Sequence, residues 1–249
     1  MRAALLGPAL ALQFLSVIPV PLPRSLPAAA FPHAVAWFPL AGALLGAMVA
    51  VADALLGHVL PMTVVSALDL VLLALSTGGL HLDGLADAAD GLLGNLPRDK
   101  RLDVMRDGGI GAFGAAVLAL TLLVEYGALL SLAPVIRFSG IVVAAAVSRW
   151  AMSLMLWAFP YARTEGAGSA FRTGLRLPHL AGAAALALLV AVVGSSWMGI
   201  VLFGTSAAIA LVVGGLAVRR VGGCTGDVYG AGGELAFAVT LVGLSGIGR

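Results

Sequence analysis

Residues 61–91 read PMTVVSALDLVLLALSTGGLHLDGLADAADG. The first twenty carry a single charge, Asp69, and are long enough to cross a lipid bilayer. The next eleven carry Asp83, Asp87 and Asp90 and no lysine or arginine. The change of character falls where a bilayer would end. Six of the chain's twelve acidic residues lie between His81 and Asp107, so the acid is concentrated at one membrane surface.

The composition agrees with lipid as the main solvent. Hydrophobic residues make up 61% of the 249, charged residues 10%, and the mean hydropathy is +1.07. Soluble domains carry about 25% charged residues. The 33 glycines suit helices packed closely in a membrane, and would also permit a homo-oligomer. The single Cys224 excludes an intrachain disulfide framework and a cysteine-rich zinc site. A formal net charge of +2 gives no basic patch, and no nucleic-acid partner is expected. Pro8 and the Val17–Pro21 segment argue against a cleaved signal peptide, so the N-terminus reads as an interfacial or half-inserted helix.

Apolar runs predict spans at 34–57, 61–80, 111–132, 136–159, 179–196 and 198–218, with a short seventh at 234–247 that could be re-entrant. The expected fold is therefore all-α: one integral membrane domain, 1–249, a polytopic bundle of six to seven transmembrane helices. Polar loops at 81–110, 160–178 and 219–233 are separated by pairs of spans and share a side with the N-terminus. That side holds Arg2, Arg24, Arg98, Lys100, Arg101, Arg106, Arg163, Arg172, Arg176, Arg219 and Arg220. The other has Arg137 and Arg249. The positive-inside rule places the three loops in the cytoplasm, on a multi-pass protein of the cell (inner) membrane.

Asp83, Asp87 and Asp90 stand at i, i+4 and i+7, within about 60° of one another on a helix. Three adjacent carboxylates repel unless a cation holds them. Hard oxygen donors suit Mg²⁺ or Mn²⁺, with coordination positions left for substrate phosphates. Asp99, Asp103 and Asp107 form a second array, interleaved with Arg98, Lys100, Arg101 and Arg106, which also reads as a solvated helix laced with ion pairs. The glycines from Gly108 to Gly114 would let backbone approach a phosphate at the start of the next helix. They would serve helix packing equally well.

Gly222 to Glu234 is a second glycine-rich stretch, containing Thr225 and Asp227. Cys224 within it reads as a small packed thiol. Arg149 and Glu125 are charges inside spans, which are costly and often functional. An ion pair between them and a substrate contact by Arg149 are both open. Asp53 and Asp69 are also intramembrane. Arg163 and Arg172, with Glu165, Gly166 and Gly168, form a loop suited to gripping phosphate. His81 points away from the carboxylate face if the helix already includes it, and joins the site if it does not.

GGLHLDGLAD (78–87) resembles the signature of the cobalamin synthase family, the adenosylcobinamide-GDP ribazoletransferases. So do Met105-Arg106-Asp107 with Gly111 and Gly114, and Gly223-Cys224-Thr225-Gly226-Asp227 with Glu234. FLSVIPVP (14–21) is similar to the family's opening segment. One departure is Gly108-Gly109, where the family often carries a polar or basic residue.

The resemblance implies transfer of α-ribazole, or its 5′-phosphate, to adenosylcobinamide-GDP, giving adenosylcobalamin or its phosphate and GMP, with Mg²⁺ required. It implies that Asp83, Asp87 and Asp90 hold metal, with Asp107 and Asp227 completing the site. Asp83, Asp87 or His81 would accept the hydroxyl proton. Arg106, Gly111, Gly114, Arg149, Arg163, Thr225 and Glu234 would contact substrate. A CDP-alcohol-type membrane phosphotransferase also uses surface aspartates, but Asp87-Ala88 stands where its Ala-Arg pair belongs. A membrane transporter would use the intramembrane charges, yet no inverted repeat is visible.

Overall fold

The computed structural model of the chain describes residues 2–163 and 166–246; Glu165 and Arg249 lie outside them. Three short helices open the chain: α1 (Arg2–Leu5), α2 (Gly7–Leu15) and α3 (Ala30–Val35). Then come α4 (Phe38–Leu56), α5 (Met62–Thr77), α6 (Leu80–Leu93), α7 (Arg98–Val104), α8 (Ala112–Ser131) and α9 (Pro134–Ala158). The chain closes with α10 (Ala167–Arg172), α11 (Leu177–Ser195), α12 (Met198–Val221) and α13 (Gly226–Ser245). Among the described residues there is no strand, only an isolated bridge between Tyr161 and Cys224. The all-α polytopic membrane bundle read from the sequence is the fold observed.

Helices α4, α8, α9, α11, α12 and α13 are each long and apolar enough to cross a membrane. The 25-residue α9 is the central post, buried along most of its length and packed by α4, α11, α12 and α13. Gly42 and Gly46, four apart on α4, let its backbone approach α9 closely. A side chain at Gly46 would run into Ala145 and the Ile141 carbonyl. This is small-residue packing spent within one chain.

The predicted span 61–80 is shortened. Helix α5 has 16 residues, about 24 Å at 1.5 Å per residue. That is less than the roughly 30 Å of a hydrocarbon core. Gly78 (φ 63°) and Gly79 (φ 74°) are both left-handed and end it, and α6 leaves at 90°. We count α5 as a seventh crossing, and α6 as a helix lying across the loop end of the bundle.

Two loops are replaced by helix. Residues 81–110 form α6 and α7 rather than open loop. The seventh span begins at Gly226, not 234, and its 20 residues make it a full crossing rather than a short re-entrant one. Thr225 caps it, accepting from the Val228 N–H at 3.3 Å. Gly230, Gly232 and Gly233 suggested a loop. In the fold they are a packing surface, with Gly230 against the His81 backbone of α6 and the other two against Met155 and Met152 of α9.

The loops and the N-terminal segment meet at one end. The Val17 N–H donates to the Ser76 carbonyl at 2.9 Å. Ala162 and Cys224 join the second and third loops, the Ala162 N–H donating to the Cys224 carbonyl at 2.8 Å. Arg98 of the first loop donates to the Val221 carbonyl of α12 at 3.4 Å. Toward the opposite end Arg137 is buried, donating to Asp53 at 2.6 Å, Asp69 at 2.8 Å, Ser66 at 3.0 Å and the Leu129 carbonyl. Arg137 is therefore a packing charge of the interior, not a charge flanking the far surface.

Candidate functional site

A cavity of about 260 Å³ opens at the loop end, between α6, the start of α13, the tip of α9 and the 161–171 segment. Its wall has two characters. His81, Asp83, Arg163 and Asp227 make a polar side. Phe14, Phe38, Tyr161, Phe171 and Tyr229 make an aromatic side.

The polar side depends on a close helix crossing. Gly84 lies against the backbone of Asp227, so near that an added Cβ would stand 2.9 Å from its carbonyl oxygen. This contact sets Asp83 and Asp87 of α6 beside Asp227 in the first turn of α13. Arg163 donates to the Asp227 carboxylate at 3.0 Å, and Thr225 donates to the same oxygen at 3.0 Å. Burial, and then the charges of Asp83, Asp227 and Asp90, push Asp87 up to about 6 against the pull of Arg163. The carboxylates thus share one electrostatic field. Among the described residues, no three His, Cys, Asp or Glu side chains converge on a single point.

Asp90, predicted as the third metal ligand, has another role. Its two oxygens accept from the backbone N–H groups of Gly111 at 2.6 Å and Gly114 at 2.8 Å. It caps α8 from a different helix and neutralises the positive end of that helix. This also corrects the reading of Gly111 and Gly114 as substrate-contacting. Any Cβ at either position would collide with the Asp90 carboxylate, so these glycines make room for a side chain of the protein.

Thr225 is another correction. It is fully buried and committed to capping α13, so it does not face the cavity. Arg106 and Asp107 are exposed beyond the end of α7 and do not line the cavity. The second acidic array also lacks its expected ion pairs, since Asp99 and Asp103 form none among the described residues. Arg101 is instead buried and donates to the Gly91 and Leu92 carbonyls at 2.7 and 3.0 Å, closing the end of α6.

Arg149, Glu125 and Glu234 lie deeper, around a small second cavity of about 20 Å³ that His81 also lines. That is room for about one water. The ion pair between Arg149 and Glu125 is not formed; among the described residues neither glutamate is within ion-pair distance of Arg149. Arg149 instead points an N–H at His81 Nδ1, 3.4 Å away. A guanidinium only donates, so a hydrogen bond there would have Nδ1 accept and keep the ring hydrogen on Nε2. Nε2 is buried and has no hydrogen-bond partner among the described residues. His81 belongs to α6, yet the α6–α13 crossing brings it to the cavity, because the corner at Gly78-Gly79 tilts the first turn inward.

The aromatic side was not anticipated in the sequence as a site. Tyr161 and Tyr229 stack with ring centres 6.3 Å apart, and Phe14 packs on Phe171 at 4.3 Å. The available signal was Gly166 and Gly168. A Cβ at Gly168 would strike both tyrosine rings, which marks the glycine as a seat for aromatics. Cys224 is buried and its thiol is pushed up to about 12, so it is an inert packed residue.

Comparison with known proteins covers nearly the whole chain. The family model described as cobalamin-5-phosphate synthase matches residues 7–245. An adenosylcobinamide-GDP ribazoletransferase of Roseiflexus sp. (strain RS-1) is 34% identical, over 94% of this chain and 87% of that protein. One of Desulfitobacterium hafniense (strain Y51) is 34% identical over 94% of both. One of Chlorobaculum parvum is 37% identical, over 90% of this chain and 89% of the relative. No solved structure matches. With residues matched from α2 to the end of α13, the chain belongs to the cobalamin-5-phosphate synthase family.

Proposed function

We propose that the chain is an adenosylcobinamide-GDP ribazoletransferase, joining α-ribazole or its 5′-phosphate to adenosylcobinamide-GDP with release of GMP. The observation that carries this reading is the loop-end cavity. Carboxylates from two helices and an arginine stand there beside an aromatic wall, in a chain related over 94% of its length to enzymes of that name. The relatives favour this transferase over a CDP-alcohol enzyme or a transporter.

The donor set suits Mg²⁺. Asp83, Asp87 and Asp227 offer hard oxygens from facing helices, and burial, then their mutual repulsion, raises Asp87. Asp87 and Asp227 would hold the metal, leaving Asp83 free to act as a base. Asp90 caps α8 instead, and Asp107 is exposed and does not line the cavity. Mg²⁺ bound there supplies neutralisation of the diphosphate and of charge developing on the departing phosphate.

The protein's own groups account for the rest. Arg163 reaches the cavity as a fixed cation for a phosphate oxygen. With Arg149 at Nδ1, His81 Nε2–H would be left to donate to a substrate acceptor. Asp83, the exposed carboxylate of the cluster, takes the proton of the ribazole hydroxyl. That oxygen forms a bond to the phosphorus nearer cobinamide. The bond from this phosphorus to the bridging oxygen breaks, and GMP leaves with that oxygen. The excess of Lys and Arg at the loop end supports a cytoplasmic catalytic face at the inner membrane.

The test is GMP release by purified protein in nanodiscs, given both substrates, with and without Mg²⁺. The reading expects release that needs all three and yields a cobalamin. Folded protein that releases no GMP would end it.

A further inference from the structure

The 260 Å³ cavity is too small for everything the reaction brings together. Cavities that enclose a drug-sized ligand measure about 300–1,000 Å³. The enclosed space matches one aromatic base with its pentose rather than a corrinoid with its nucleotide. Only one substrate ring system is therefore inside, and the other substrate meets it at the mouth.

The wall specifies which ring. Beyond His81, Asp83, Arg163 and Asp227, the side chains of the lining are apolar or aromatic, among them Phe14, Phe38, Phe171 and the two tyrosines. Guanine carries polar groups along its edges, and buried in that wall they would lose their water without replacement. Polar groups on that side are few, and the Tyr229 hydroxyl is the most deeply buried hydroxyl among them. Tyr229 is 3% exposed, and among the described residues its hydroxyl has no hydrogen-bond partner. A buried donor without an acceptor is costly unless a ligand supplies one.

We propose that the aromatic half of the cavity is the acceptor subsite. It takes an apolar bicyclic aromatic base whose ring nitrogen accepts from Tyr229, with the attached sugar turned toward Asp83. This rests on the ribazoletransferase reading, under which the base is that of α-ribazole and the guanine of the other substrate stays outside. Gly166 and Gly168 then have a purpose: they seat Tyr161 and Tyr229 so that the rings form a slot.

The test uses full-length protein in nanodiscs. Tyr229→Phe keeps the ring and removes the donor. It should raise KM for α-ribazole by about 3- to 10-fold, the worth of one hydrogen bond, with KM for adenosylcobinamide-GDP unmoved. Tyr161→Ala should raise the same KM and spare the other. A rise in KM for adenosylcobinamide-GDP alone, or no change in either KM, overturns the subsite. Calorimetry on the wild type is a second readout that no misfolded variant can confuse. α-Ribazole should bind without the second substrate and resist displacement by GMP; displacement by GMP overturns the proposal. Wild-type protein that shows no turnover with both substrates would instead remove the underlying function, so the two failures are distinct.

Discussion

The bundle buries charge in two regions, and they are built on opposite rules. Toward the closed end, Arg137 is matched to Asp53 and Asp69 and its remaining hydrogens reach Ser66 and the Leu129 carbonyl. Toward the loop end, Arg149 Nε, His81 Nε2, Glu125 Oε1 and the Tyr229 hydroxyl have no partner among the described residues. The first region stitches α4, α5 and α9 together. The second leaves donors and acceptors available beside a cavity. Buried charge in this bundle thus takes two forms: near-complete pairing around Arg137, where only Asp69 Oδ1 lacks a partner among the described residues, and several open donors and acceptors beside the cavity.

That contrast can be broken most forcefully at Arg137. Arg137→Leu leaves two carboxylates buried without a cation, and should cost about 3–5 kcal/mol of stability. Thermal unfolding in detergent checks this, while turnover per folded molecule at low temperature should remain. Arg163→Ala belongs to the other region. It should lower kcat/KM for GMP release by about 10- to 100-fold, as the loss of a charged phosphate contact, with little change in melting temperature.

Asp90 sharpens the comparison because it lies at the loop end but is fully bonded. Asp90→Ala should act as a structural change costing about 2 kcal/mol, the loss of a strong helix cap, seen in thermal unfolding. An effect on Mg²⁺ affinity with no effect on stability would return Asp90 to the metal site. The smallest effect concerns pH. Asp87 is raised from 3.8 to about 6 in the metal-free fold. Its folded form binds a proton more readily than the unfolded chain, so stability from this group falls as pH rises from about 4 to about 6. Metal-free protein should melt higher at pH 5 than at pH 7, and Asp87→Asn should flatten that difference. The partial exposure of Asp87 keeps it small.

The spans were legible because hydrophobicity over about 20 residues is a lipid signal with few imitators. Charge bias and span count put the loops on one end, and the backbone bonds between Ala162 and Cys224 agree. Glycine misled the reading twice. Gly230, Gly232 and Gly233 suggested a loop because glycine is a breaker in water, whereas inside a membrane it is a contact surface. Gly111 and Gly114 suggested a phosphate cradle, but the anion they accommodate is Asp90. Spacing along α6 gives angles on one helix and cannot say which neighbouring helix claims each carboxylate. Tyr161, Phe14 and Phe171 were invisible as a site for the same reason, since the N-terminal segment and the 161–171 segment meet only in the fold.

The central claim is that the carboxylates on α6, facing Asp227, perform the chemistry. The direct measurement is GMP release by Asp83→Asn in nanodiscs with Mg²⁺ and both substrates. The account predicts a loss of about 10³-fold or more with an unchanged melting temperature, because the electrostatics of the reacting phosphates would be lost while the fold is kept. Turnover at the wild-type rate would contradict it.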